Sequence, residues 1–325
     1  MKTASPAPES PAIAWADDDV VHKSRYLLDS ERVLGPVMLL PAVIYILALV
    51  GFPLVLAVIY SLSDVSIADQ SINWVGLRNF RAVWGDDTFR TALRNTIVFT
   101  VVSQIIVIIG ATILSQVLAA DFHGKRFVRF LILLPWTTPI ALAVLGWLWM
   151  LDNVYSPIDA LMRDLGLLGP HTMFGPTRNM HWLSRPELAQ ASVITIYVWR
   201  TLPLATVIIL AGLAAIPRDI EEAADVDGAG YWRKLFFIDL PLLTPIVAVA
   251  VLYGVIFTFT DMIVVYILTG GGPVNQTQVL ASWAFYKGIN GTDLAQGAAI
   301  ALFLLPVLVA AAIAMLRLAR RAETV

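Results

Sequence analysis

Six long apolar stretches dominate this sequence of 325 residues and constrain its fold more than any other feature. Each is long enough, at about 1.5 Å per residue, to cross the roughly 30 Å of hydrocarbon in a bilayer. Because lipid offers the backbone no hydrogen-bond partners, stretches of about 20 residues are predicted to be helices rather than barrel strands of about 10 residues. The predicted spans are Leu34–Leu62, Ala92–Ala120, Arg129–Leu151, Ala189–Ala215, Pro241–Leu268 and Leu294–Leu316.

The composition agrees with lipid as the main solvent. The chain is 58% hydrophobic and 14% charged, whereas soluble domains average about 45–50% apolar and about 25% charged residues. A formal net charge of −2 gives no bulk attraction to nucleic acid. The absence of cysteine and of an HExxH pattern among the four histidines predicts no metal site. The sequence therefore predicts an all-α polytopic membrane protein that contacts lipid and no nucleic acid.

Polarity along the chain predicts four regions. Residues 1–33 form a tail that is partly disordered, in which His22–Val33 is either an interfacial helix or a polar linker. Residues 34–91 hold the first span and an outer loop, residues 92–317 form a core with five spans, and residues 318–325 form a short second tail. Lys and Arg are densest in the short loops on the side of the two tails, which predicts that both termini are cytoplasmic.

The connection Ile216–Leu240, between the fourth and fifth spans, has an unusual pattern for a loop. Pro217 suits the start of a helix, and Gly228 permits a turn that a residue with a Cβ would resist. Tyr231–Ile238 then resumes an amphipathic pattern, and Pro241 opens the next span. This helix–turn–helix suits docking into a groove on another protein; an ordinary loop with surface helices is the alternative.

Several residues of this connection resemble the EAA loop of ABC importer permeases: Glu222-Ala223-Ala224, Asp227-Gly228-Ala229, Ile238, Leu240-Pro241 and Pro245. In that family the loop forms a coupling helix that sits in a cleft of a cytoplasmic ATPase subunit. The resemblance therefore implies that coupling to the ATPase is carried by Glu222, Ala223, Ala224, Asp227 and Gly228. Leu235 stands where family members often have Phe, which is a mild change of shape.

Three further segments resemble the carbohydrate-uptake branch of that family, in particular its maltose- and glycerol-phosphate-type permeases. They are Trp74–Phe80 with Arg94-Asn95-Thr96, Leu134-Pro135-Trp136 with Pro139 and the Trp-rich stretch on to Leu167, and Leu268–Pro273 with Thr277. The resemblance runs from about residue 74 to residue 277 and so covers most of the chain. It implies the type I ABC importer transmembrane-domain fold and a permease subunit for a sugar, a polyol or a sugar phosphate.

The resemblance also implies partners for the chain in a bacterial inner membrane. They are a second, similar permease subunit, two ATPase subunits that bind ATP and Mg, and an extracytoplasmic solute-binding protein. The chain itself has no Walker-type phosphate loop, since Gly124-Lys125 lacks the upstream glycine. We therefore expect neither a nucleotide cofactor nor an enzymatic activity in this chain.

Polar residues inside membrane spans are costly, which makes them candidates for a substrate path. Arg200 and Asp261 are predicted to lie roughly 16 and 10 Å from the outer ends of the fourth and fifth spans, where they can pair. A structural ion pair that only fixes helix register is the alternative. Aromatic and hydroxyl side chains near Asp261 suit a sugar, although packing or lipid contact is also possible for them: Tyr253, Phe257, Thr258 and Thr260. Trp199 and Gln104 are further candidates.

Other functions remain open at this point. A secondary transporter would need coupling-ion carboxylates inside its spans, and Asp261 is the only obvious one. A membrane scaffold would explain a docking loop but not polar residues at depth. Within the importer family, a permease for a non-sugar solute is the nearest alternative.

Overall fold

The structure, a computed structural model, describes residues 31–323, and side chains are described for residues 34–318. Most of the predicted first tail, with its interfacial helix, lies outside the described residues. Within them the chain is helical, and the one β-type contact is an isolated bridge between Ser63 and Trp74. The α-helices are α1 (Glu31–Ile46), α2 (Phe52–Ser61), α3 (Arg78–Gly85), α4 (Asp87–Ala119), α5 (Lys125–Thr137), α6 (Ile140–Met150), α7 (Pro157–Asp164), α8 (Pro186–Leu213), α9 (Arg218–Val226), α10 (Tyr231–Lys234), α11 (Leu240–Phe259), α12 (Ile263–Leu268), α13 (Leu280–Phe285), α14 (Leu294–Leu302) and α15 (Leu304–Glu323).

Among the described residues, five helical stretches are long and apolar enough to cross a membrane, and a bent pair of helices would make a sixth. The predicted all-α class with about six spans is therefore confirmed. The five unbroken stretches are Leu34–Ser61, Asp87–Ala119, Pro186–Leu213, Tyr231–Phe259 and Leu294–Leu318.

The chain divides into two compact units, with the boundary between Val55 and Leu56. In the first unit every side chain from Leu34 to Val50 is exposed. The turns widen to π-helix at Leu47–Gly51, just before Pro53. Because proline has no N–H to donate to the carbonyl four residues back, a wider turn lets the helix continue past it.

The second unit is built around α4, α8 and α11, which pack against one another. Small residues let these helices approach closely, as is usual between membrane helices. Gly212 of α8 is one such residue: a Cβ there would lie 2.6 Å from Ile246 Cδ1 and 2.7 Å from Leu243 Cδ2 of α11. Because Gly212 has no Cβ, α8 and α11 can pack at this short distance.

The third predicted span, Arg129–Leu151, is wrong as a straight helix. The structure has two helices here, α5 and α6, whose axes are bent by 97° at a short break. Pro139 follows the break, and a proline disfavours helical geometry in the residue before it. Thr138 accordingly has an extended backbone (ψ 132°), and its Oγ1 donates to Leu134 O at 2.7 Å, at the end of α5.

The fifth predicted span, Pro241–Leu268, has different bounds at both ends. It begins earlier, because α10, a π-helical turn at Leu235–Asp239 and α11 form one helical stretch, Tyr231–Phe259. Pro241 therefore does not start the span but follows a π-helical turn, as Pro53 does. The span also ends earlier, at Phe259, and α12 begins only after a three-residue break.

Near the C-terminus α14 begins at the predicted Leu294, and α15 continues to Glu323. The helix therefore runs beyond the predicted end of the span at Leu316 and into the predicted second tail.

Candidate functional site

The break between α11 and α12 is held by Asp261. Its Oδ1 accepts a hydrogen bond from Val264 N at 2.8 Å, which satisfies a free N–H of the first turn of α12. Its Oδ2 lies 2.8 Å from Arg200 Nη1 of α8, and the two side chains are 5% and 18% exposed, respectively. The predicted pairing of Arg200 with Asp261 is confirmed, but Asp261 lies at a helix break and not inside a helix.

Three aromatic rings lie beside this ion pair. Tyr253 and Phe257 of α11 are stacked, with ring centroids 4.3 Å apart. Trp136, at the end of α5, meets both rings edge-on, at 5.5 Å and 5.7 Å. Arg200 Cζ lies 5.7 Å from the Phe257 centroid, within cation–π range. We refer to Trp136, Tyr253, Phe257, Arg200 and Asp261 as the aromatic–ion-pair cluster.

Trp136 was not among the residues that the sequence proposed for the path. It belongs to the Leu134-Pro135-Trp136 segment, which drew attention only through its resemblance to carbohydrate permeases. Two prolines close to a tryptophan indicate a break in the helix, and a break changes the direction of the side chains around it. That signal could have placed Trp136 at the site, although it does not identify the opposing helix.

The two threonines proposed for the path make other contacts. Thr258 is buried, and its Oγ1 accepts a hydrogen bond from Gln104 Nε2 of α4 at 3.3 Å. Thr260 is exposed and donates its hydroxyl to Ile256 O of its own helix at 2.8 Å. Neither hydroxyl hydrogen-bonds to the Arg200–Asp261 pair. Of the further candidates, Gln104 is buried behind Thr258, and Trp199 packs edge-on against Trp147 at 5.7 Å.

The aromatic–ion-pair cluster has the chemistry of a site for polyhydroxylated molecules. One guanidinium nitrogen of Arg200 is used by Asp261, which leaves other N–H donors, and the carboxylate has further lone pairs to accept hydroxyl protons. The neighbouring rings offer apolar faces to C–H groups. Among the described residues no group of three or more His, Cys, Asp or Glu side chains is placed to hold a metal ion.

The loop predicted to couple to a partner forms a second candidate site. α9 is followed by Gly228 with a φ of 73°, so the turn predicted at this glycine is present. Glu222, Ala223 and Asp227 are exposed, whereas Ala224 is buried. Beside this turn lies a pocket of ≈ 490 Å³, whose lining includes Ala224, Asp227, Ala229, Arg233 and Phe237. The turn thus presents acidic side chains next to an open hollow.

Comparison with known proteins supports the resemblance seen in the sequence. The chain is 28% identical to the sulfoquinovosyl glycerol transport system permease protein SmoG of Agrobacterium fabrum, over 90% of this chain and 92% of that protein. It is 29% identical to the trehalose/maltose transport system permease protein MalF of Thermococcus litoralis, over 94% and 98% of the two chains.

A solved structure shows the same fold at lower identity. It is a bacterial alginate ABC transporter in complex with an alginate pentasaccharide-bound periplasmic protein, with a TM-score of 0.72 and 18% identity over 89% of this chain and 94% of that one. A family model also matches residues 111–324, which include α8, α11, α12 and the coupling loop. The chain therefore belongs to the family of binding-protein-dependent transport system inner membrane components.

Proposed function

We propose that this chain is the permease subunit of an ATP-driven importer of a sugar, or of a related polyol or sugar phosphate. The observation that carries the proposal is the aromatic–ion-pair cluster, in which a largely buried Arg200–Asp261 pair lies beside three aromatic rings. The names of the relatives, which specify sulfoquinovosyl glycerol, trehalose and maltose, favour the same class of solute. The rings would pack on the C–H face of a sugar while the ion pair bonds its hydroxyls.

The helical stretch that carries two rings of this cluster, Tyr253 and Phe257, also offers a route for coupling. Tyr231–Phe259 is one helical stretch whose first residue lies three positions after Gly228 and whose last lies two positions before Asp261. A displacement of α9 by an ATPase subunit would be passed to this rigid stretch and on to the break at Asp261. In this proposal the exposed Glu222, Ala223, Asp227 and Gly228 contact the ATPase, while Ala224 supports them from beneath.

The rest of the assembly belongs to the proposal as well. A second permease would complete the path, and two ATPase subunits would bind ATP and Mg, since this chain has no Walker-type loop. An extracytoplasmic solute-binding protein would deliver the solute. Both termini would be cytoplasmic, which places the loop between α8 and α11 on the side of the ATPases.

The test is to measure uptake and ATP hydrolysis separately in proteoliposomes that contain the assembled complex. Asp261→Asn should reduce uptake while assembly and basal ATP hydrolysis remain. Glu222→Lys should leave both the ATPase and the path intact but uncouple hydrolysis from uptake. Solute movement by the purified chain alone, without ATP, would overturn the proposal in favour of a secondary transporter.

A further inference from the structure

The loop between α6 and α8 carries a basic pocket that neither the aromatic–ion-pair cluster nor the coupling loop uses. The pocket has a volume of ≈ 450 Å³, and its lining includes Tyr155, Arg163, Arg178 and Asn179. The residues that line it include two arginines and no acidic side chain. It therefore combines local positive charge with a concave shape.

A buried carboxylate joins the two segments of chain that line the pocket. Asp159 of α7 has 0% exposure and accepts hydrogen bonds from Met180 N at 3.0 Å and from Trp182 Nε1 at 2.8 Å. A second link joins the same segments, since Asn179 Nδ2 donates to the carbonyls of Asn153 and Val154, both at 3.1 Å. These bonds fix the two walls relative to each other, so a ligand would find the pocket already formed.

The two arginines have different roles in the pocket. Arg163 Nη1 donates to Arg178 O at 2.7 Å and to Asn179 Oδ1 at 3.1 Å, which fixes its guanidinium in the wall. The Arg178 side chain is exposed and makes no hydrogen bond or ion pair within the described part of the chain. The Tyr155 ring, which is 82% exposed, stands at the rim. Exposed Arg and Tyr around a preformed hollow are typical of protein-binding surfaces.

The charge balance of the loop favours a protein partner over a lipid surface. Residues 152–185 contain three aspartates and three arginines, so the loop has no formal net charge from these residues: Asp152, Asp159, Asp164, Arg163, Arg178 and Arg185. Attraction to anionic lipid depends on clusters of about 4–8 basic residues, whereas this loop has three arginines and no lysine. A short-range carboxylate contact with Arg178 does not need net charge, because guanidinium binds carboxylate in a paired geometry.

We propose that this pocket docks acidic side chains of an extracytoplasmic solute-binding protein. The inference rests on the proposed function, which supplies that partner and places this loop outside the cell. The partner's carboxylates would meet Arg178 at the mouth and Arg163 in the wall, with the Tyr155 ring packed against the partner's surface. Complementary charges of this kind mainly raise the association rate and depend on salt.

The test varies Arg178, whose side chain has no structural contact to lose. The solute-binding protein is first isolated as the protein that stimulates ATP hydrolysis by the wild-type complex. The assembled complex is then placed in phosphatidylcholine vesicles, and the rate of ATP hydrolysis is measured as a function of the concentration of this binding protein. Arg178→Gln should raise the half-maximal concentration by about fivefold or more at low salt, and by less at physiological salt, with an unchanged maximal rate. Arg178→Lys should restore most of the effect.

Arg185→Gln is the matched control, since it removes the same charge from an exposed site on the same loop outside the pocket. If wild type is stimulated and Arg178→Gln responds as this control does, the docking inference is wrong and the proposed function stands. If no binding protein stimulates wild type, the proposed function fails and the docking inference fails with it. If the effect of Arg178→Gln requires anionic lipid in the vesicles, the pocket binds a lipid headgroup, which also overturns the inference.

Discussion

Replacing Gly254 by alanine tests whether α4 and α11 are held together at one close polar contact. A Cβ on Gly254 would overlap Gln104 Oε1 and lie 2.6 Å from Gln104 Cδ and 2.8 Å from its Nε2. Real Cβ contacts are longer than this, so the Gln104 amide must move or the helices must separate. Either movement breaks the bond from Gln104 Nε2 to Thr258 Oγ1 at 3.3 Å, inside a region where both residues are buried.

The cost follows from two effects. Overpacking a tight core contact costs about 1–3 kcal/mol. The lost hydrogen bond adds about 0.5–1.5 kcal/mol, and about 0.6 kcal/mol is the mean measured for such bonds between membrane helices. We therefore expect Gly254→Ala to reduce the free energy of unfolding by about 1.5–4.5 kcal/mol, the sum of these two effects.

The control is a double-mutant cycle. Gln104→Ala alone removes the hydrogen bond, and it also removes the atoms that the new Cβ would strike. The double variant Gly254→Ala/Gln104→Ala should therefore be more stable than the sum of the two single changes, by about 1–3 kcal/mol. The free energies come from denaturant titration of the purified chain in mixed micelles, followed by tryptophan fluorescence. Strict additivity of the two changes would refute the contact as described.

Three further predictions concern charge and backbone. Arg200→Met should destabilise the fold by about 3–5 kcal/mol, because it leaves the buried Asp261 carboxylate without its charge partner; a loss no larger than that of the exposed Thr260→Ala control, in the same titration, would contradict this. Gly228→Val should cost about 1–2 kcal/mol in the turn after α9, since a φ of 73° is unfavourable for a residue with a Cβ. Faster amide hydrogen exchange in α9 would reveal that loss, and exchange as slow as in wild type would argue against it. The pKa of Asp152 is lowered because the backbone N–H of Tyr155, and then that of Val154, donates to its carboxylate. The ionised Asp152 carboxylate therefore stabilises the folded loop above its ordinary pKa, and this stabilisation is lost as the pH falls through the lowered value. Cleavage of the loop by an acid-stable protease should accordingly rise only below about pH 4.

Local signals in the sequence predicted much of this architecture. Apolar length located the five unbroken helical stretches and the bent pair α5–α6, since a helix in lipid has no alternative way to satisfy its backbone. The turn at Gly228 followed from the conformational freedom of glycine. The pair Arg200–Asp261 followed from the cost of leaving a charge unpaired in a membrane. The first two of these arguments depend on one residue or one stretch of chain, and the third depends on two residues predicted to lie at similar depth in neighbouring spans.

The errors occurred where one local signal allowed more than one structure. A proline can start a helix, break it or follow a π-helical turn, and Pro139 and Pro241 took the second and third of these options. The choice depends on which neighbouring groups re-satisfy the freed carbonyls, and that information is not local. Trp136 was missed for a related reason, because its contacts with Tyr253 and Phe257 depend on how α5 packs against α11, which is distant in the sequence.

The position of Asp261 changes how its role should be understood. The sequence left two interpretations open, a substrate contact or a structural ion pair. The structure divides the carboxylate between two tasks, since Oδ1 caps α12 and Oδ2 meets Arg200. A side chain that ends one helix, starts the next and holds α8 will respond when any of the three moves. Under the proposed function, a solute that competes for Arg200 would weaken the restraint on the break itself, and solute binding would then be coupled to helix movement at a single residue. On this reasoning Asp261→Asn, which keeps an oxygen to accept the cap bond but loses the charge, should separate the two tasks where Asp261→Ala would abolish both.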